Sequence, residues 1–171
     1  MVIALLGATR LFFALGIGAM LLPAIQAESG SPGVYTPSPG SAERTAIVKT
    51  LHAGDDSPQS RFTFRKFHVL RTGPRSIAYV QGEGPVGAFQ AILERDGKTP
   101  WRKVWGESDG GSNSCETGAQ HYVWALRRIR AYTPAPDAVF PGIVARTREL
   151  QRMAKADPEL QCVGDLERSP E

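Results

Sequence analysis

Residues 61–105 read RFTFRKFHVLRTGPRSIAYVQGEGPVGAFQAILERDGKTPWRKVW, and this stretch decides the fold class. Aromatic and β-branched residues recur in it between short turn signals, the signature of strands joined by hairpins. Phe62 and Phe64 share one parity and Phe67 and Val69 the other. The switch at Arg65-Lys66 predicts either a bulge or a strand covered on both faces. Thr72-Gly73-Pro74 is a turn, and Ile77 to Val80 is a short strand ending at Gly82-Glu83-Gly84-Pro85. A third strand runs from about Val86 to Arg95, with Phe89, Ala91 and Leu93 facing one way. Asp96-Gly97 is a strong hairpin signal, and the chain returns through Trp101, Val104 and Trp105. The expectation is an antiparallel meander of about four strands.

Helices flank the meander. Ser41 is placed to cap a helix carrying Glu43 in its first turn and Ile47, Val48 and Leu51 on one side. Gly54 and the Asp55-Asp56-Ser57-Pro58 cluster end it. On the other side, Gly106 to Asn113 is polar and glycine-rich, and reads as a protruding loop. From the cap Ser114, apolar residues step at helical spacing through Cys115, Ala119, Tyr122, Leu126 and Ile129. Thr133-Pro134-Ala135-Pro136 reads as a rigid link. Pro141 opens a last helix with Ile143, Thr147, Leu150 and Ala154 on one face, stopping by Asp157-Pro158. The whole is a single α+β domain over 41–171, packed by one N-terminal and two C-terminal helices and ending in an acidic tail.

Residues 1–27 give the chain an address. Arg10 is followed by an apolar run from Leu11 to Leu22, then Pro23 and the small residue Ala27. That is the order of a secretory signal peptide, cut near Ala27. The run is shorter than the roughly 20 residues a membrane span requires, which argues against a retained anchor. Residues 28–40, ESGSPGVYTPSPG, read as a flexible linker. The expected location is periplasmic or secreted. In such a compartment the two cysteines, Cys115 and Cys162, are expected to form a disulfide. A rival reading gives Cys115, at the positive end of a helix, the role of nucleophile in an envelope hydrolase. His121 is a poor base for it, because six residues along a helix turn the side chain to another face.

Other motifs carry little chemistry. Gly82-Glu83-Gly84-Pro85-Val86-Gly87 matches G-x-G-x-x-G, but the dinucleotide fingerprint needs a helix after it, and here a strand follows. His52, His68 and His121 are scattered, without metal-ligand spacing. No cofactor, metal or catalytic residue is therefore assigned. Formal net charge is +3, too small to argue for nucleic-acid binding. Its distribution is uneven: Arg127, Arg128, Arg130, Arg146, Arg148, Arg152 and Lys155 fall in one run with only Asp137 and Glu149. The contact candidates are Glu107, Asp109 and Asn113 in the loop, and Arg127, Arg128 and Arg130 on the helix. The expected partner is another envelope or secreted protein. A membrane or other anionic surface is the less favoured partner, and the sequence leaves oligomeric state open.

The hairpin AILERDGKTPWRKVW, Ala91 to Trp105, following a helix and a curled meander, resembles the small cystatin-like and NTF2-like α+β domains, in which a g-x-W-x-v strand often closes the sheet. The resemblance covers about Ser41 to Trp105, and the helices after Cys115 depart from it. It implies a binding or inhibitor module more often than an enzyme, and it carries over no active-site residue. The functional expectation is a non-catalytic interaction protein: an inhibitor, immunity or envelope-binding module.

Overall fold

Residues 33–55, 57 and 61–167 are described by the structure, a computed structural model. The expected signal peptide and the first part of the expected linker lie outside the described residues. A single antiparallel sheet of six strands runs in sequence order: β1 (Val34–Tyr35), β2 (Thr63–Thr72), β3 (Arg75–Gly84), β4 (Gly87–Asp96), β5 (Arg102–Ser114) and β6 (Gln161–Glu167). Helix α1 (Ala42–His52) lies between β1 and β2, while α2 (Cys115–Arg130), α3 (Pro136–Val139) and α4 (Ile143–Ala156) lie between β5 and β6.

The meander and the flanking helices follow the expected α+β plan, but two strands were not anticipated. Val34 and Tyr35, within the expected linker, pair with Leu70 and Val69. Residues 161–167, read as an acidic tail, form β6 and pair with β5. Neither segment shows strand periodicity. Two residues are too few to display one, and in β6 the run Cys162-Val163-Gly164 interrupts the polar–apolar alternation. The expected loop at 106–113 is also corrected: it is the second half of β5. Its ladder breaks between the pairs Ser108–Asp165 and Asn113–Val163, so Asp109 to Ser112 bulge away while the ends stay paired. The rigid link after Thr133 runs into the short helix α3.

Both sheet faces are covered, which explains the unbroken apolar run at Ile77–Val80. On one face α1 buries Ile47 and Leu51 against Phe67, Val69, Ala78, Val80, Ala91, Leu93 and Trp101. On the other face Leu70, Ile77, Tyr79, Ile92 and Trp105 meet Tyr122, Leu126 and Ile129 of α2, Val139 of α3, and Ile143 and Leu150 of α4. The parity switch itself is a bulge in β2 between Phe64 and Lys66. Gly82 faces it, and a Cβ there would lie 1.7 Å from the Thr63 carbonyl oxygen. The G-x-G-x-x-G motif is the turn from β3 to β4, where Gly84 pairs with Gly87 around Pro85-Val86.

Ion pairs and caps fix the outer elements. Ser41 Oγ accepts the Arg44 amide hydrogen bond and caps α1. Glu43 in the first turn of α1 receives the Tyr35 hydroxyl at 2.6 Å, Arg71 Nη2 at 2.8 Å and Arg95 Nη2 at 3.1 Å, tying the helix to β1, β2 and β4. At α2, Ser114 Oγ accepts from the Thr117 amide. The amides of Cys115 and Glu116 donate to the carbonyls of Leu160 and Pro158, so the chain entering β6 completes the cap of α2.

Candidate interaction surface

Cys115 opens α2 on its core face and is fully buried. Cys162 of β6 stands against it, with Cα atoms 4.8 Å apart and the sulfurs joined as a cystine. No thiol is free among the described residues, which runs against Cys115 as a nucleophile. The helical stripe that places Cys115 inward also places its partner strand, since β6 crosses the first turn of α2.

The three candidates on β5 turn out to be occupied within the fold. Glu107 faces α2: its Oε2 accepts from Gln90 Nε2 at 2.9 Å and from the Tyr122 hydroxyl at 2.5 Å, and its Oε1 from the Gly164 amide at 3.3 Å. The Tyr79 hydroxyl extends the chain by donating to Gln90 Oε1. Burial, with the Glu107 charge beside them, pushes Tyr79 and Tyr122 well above the ordinary phenol range, so both stay protonated donors. Asn113 Nδ2 donates to the Gly164 carbonyl at 2.6 Å and holds the middle of β6. Asp109 sits on the exposed bulge, where its Oδ2 accepts from the Ala88 amide across the sheet. The structure brings Glu107 and Asn113 together at Gly164, as braces for the last strand.

The histidines lie apart. His52 Nδ1 bonds the Asp55 carbonyl, His68 Nδ1 that of Val139, and His121 Nε2 that of Gly106. His121 also stacks on Trp105, with ring centroids 4.9 Å apart, and burial lowers its pKa. Among the described residues no three His, Cys, Asp or Glu side chains gather as a metal site. No helix among them is long and apolar enough to cross a membrane.

The basic candidates divide. Arg128 forms a two-point pair with Glu94, Nε to Oε1 at 2.6 Å and Nη2 to Oε2 at 2.5 Å, and that carboxylate is 5% exposed. The hydrogen bonds it donates to Glu94 raise the Arg128 pKa further, so this guanidinium braces that carboxylate. Arg127 and Arg130 leave α2 on another side and are exposed. Across from them α4 presents Arg148, with Val123, Leu126, Val144 and Thr147 flooring a groove of about 510 Å3 between the two helices. Arg152 and Lys155 continue the α4 stripe beyond Arg148. These five cations have no ion pair among the described residues, and no carboxylate lines the groove. By contrast Arg65, Arg71, Arg95, Lys103, Arg128 and Arg146 are all paired. Spacing flags the α4 members, since 148, 152 and 155 are one turn apart on a helix.

No family model matches the chain, and neither a curated protein nor a solved structure matches it.

Proposed function

We propose that this protein is an exported, non-catalytic interaction module that meets an acidic protein partner through the α2–α4 face. One observation carries the reading: Arg127, Arg130, Arg148, Arg152 and Lys155 lie on adjacent helices without ion-pair partners among the described residues, beside a groove floored by Val123 and Val144. Unpaired charge of one sign steers an oppositely charged partner and fixes its register. A concave groove with an apolar floor suits side chains of a protein better than a flat headgroup layer. The exposed large apolar residues, Val86 and Leu160, are not among the residues of this groove. The role of inhibitor or immunity protein, the periplasmic or secreted location and the cystatin-like and NTF2-like resemblance belong to the same reading.

Charge reversal tests it. Arg127→Glu, Arg130→Glu and Arg148→Glu combined remove the field while leaving the core untouched. The wild-type chain is expected to retain a partner from envelope extract in a salt-sensitive manner. The triple variant, with an unchanged thermal melt, is expected to bind that purified partner at least about tenfold more weakly. Equal retention by both chains would discard this face as the contact. Salt-sensitive binding to anionic vesicles alone would replace the protein partner with a charged surface.

A further inference from the structure

α2 and α4 pack side by side, and the groove of about 510 Å3 between them has a regular build. Its floor repeats at one helical turn on each wall, Val123 and Leu126 from α2 and Val144 and Thr147 from α4. Val123 is only half-buried and belongs to neither hydrophobic cluster, so it is an apolar side chain the fold itself does not use. Thr147 spends its hydroxyl on the Ile143 carbonyl of its own helix. Both rims are cationic, with Arg127 and Arg130 on α2 and Arg148 on α4. Arg152 and Lys155 extend the α4 rim, and Lys155 stands two turns, about 10 Å, beyond Arg148. None of these five cations makes an ion pair or a ring contact among the described residues.

The walls choose the shape of the occupant. Both are α-helices, whose backbone groups bond within each helix, so they offer a docked segment no ladder of donors and acceptors. An extended segment lowered onto this floor would strip water from its own N–H and C=O groups and find no replacement. A helix closes its backbone bonds itself and brings only side chains to the floor. An apolar cavity of about 150 Å3 holds one benzene ring, so the groove takes about three large apolar side chains. A helix presents three such side chains on one face at i, i+3 or i+4, and i+7. The rims choose the charge, since carboxylates flanking that stripe would meet a cation on either side. A second copy of this chain does not supply them. Each described helix carries a single carboxylate: Glu43 in α1, Glu116 in α2, Asp137 in α3 and Glu149 in α4.

We infer that the groove seats an acidic amphipathic helix of the partner. Its apolar stripe lies on Val123 and Val144, and Asp or Glu on its two flanks face Arg127 and Arg130 on one rim and Arg148 on the other. The α4 wall from Val144 to Lys155 runs about 16 Å, which sets the docked helix at about three turns. This inference rests on the α2–α4 face being the contact with an acidic protein, and adds the conformation and residue pattern of the segment that binds there.

Two fluorescein-labelled peptides of about 14 residues and identical composition test it. In one, Leu recurs at helical spacing with Glu on both flanks; in the other the same residues are shuffled so that no apolar stripe forms. Fluorescence anisotropy with the full chain is expected to show the ordered peptide binding at least about tenfold more tightly than the shuffled one. Arg127→Glu with Arg148→Glu, one exposed residue from each rim, is expected to weaken that binding about tenfold. Val123→Gln removes apolar floor from outside the core clusters, and is expected to weaken it about threefold. Equal affinity for the two peptides overturns the helix, and so does binding of the ordered peptide that is unchanged in either variant. Failure of both peptides to bind the wild-type chain also overturns it. The broader reading is decided separately: if the envelope partner is retained by the wild-type chain and lost by the charge-reversed triple variant, that reading stands even where the helix falls.

Discussion

Gly164 shows how much a missing side chain decides. It lies opposite the β5 bulge, where a Cβ would fall 2.0 Å from the Ser108 carbonyl oxygen, a contact no side chain can relieve because both atoms are held by backbone. Its amide and carbonyl serve Glu107 and Asn113. Gly164→Ala is therefore expected to cost about 1–3 kcal/mol in chemical denaturation, by forcing the strands apart. A midpoint unchanged from wild type would mean that β6 does not approach β5 this closely. Glu43 decides by charge. Burial pushes its pKa up, but the hydrogen bonds from Tyr35 and Arg71 and the charges of Arg71 and Arg95 outweigh that and hold its carboxyl below the ordinary range. The Tyr35 hydroxyl moves the other way, pushed up to about 12 by burial and by its bond to Glu43. A carboxylate lowered in the folded state stabilises above the unfolded pKa and ceases to do so as pH falls through the folded one. A phenol raised in the folded state stabilises below its ordinary value of about 10, and that stability is lost as pH rises toward 12. The melting temperature should decline in both windows. Glu43→Gln should flatten the acid limb, so an acid limb identical in the variant would remove Glu43 from this role.

Elements differ in what secures them. α1 has its cap and three partners on Glu43, whereas β6, beyond its pairing with β5, is held by two backbone bonds from α2 to the residues leading into it, by Arg146 Nη2 of α4 on the Cys162 carbonyl at 2.8 Å, and by the cystine. The cystine closes a loop with a sequence separation of 47 residues. In the chain-entropy account that closure is worth about 4 kcal/mol. Cys115→Ser with Cys162→Ser is expected to lose a comparable amount, with amide exchange accelerating first in Gln161–Glu167 and only later in β3 and β4. Uniform acceleration over the whole sheet would show that β6 is no separate unit. The same contrast explains what the amino-acid order made readable. The Asp96-Gly97 hairpin, the Ser41 and Ser114 caps and the helical stripe holding Cys115 each carry a local chemical signature. β6 carries none, because its pairing partner is nearly fifty residues away and its alternation is blurred by Gly164 and Asp165. The polar half of β5 resembles a loop for the same reason: beyond Ser108 its ladder partners lie on the distant strand β6.

At the scale of the molecule, sequence charge counting located the basic run but could not sort it. Arg128 and Arg130 are neighbours in the chain, yet one braces a buried carboxylate and the other stands in solvent on the face shared with α4. Rotation about a helix and the position of Glu94 on β4 make that difference, and neither is encoded near residue 128. Glu107 and Asn113 read as polar residues of an open loop, and in the fold both bond to Gly164 of β6, 57 and 51 residues further along the chain.

β6 also sets a timetable. The sixth strand, two backbone bonds at the cap of α2 and the sulfur bond all wait on residues 158–167, so a chain halted just short of Cys162 would lack the ladder and the cystine that join its last segment to the first turn of α2.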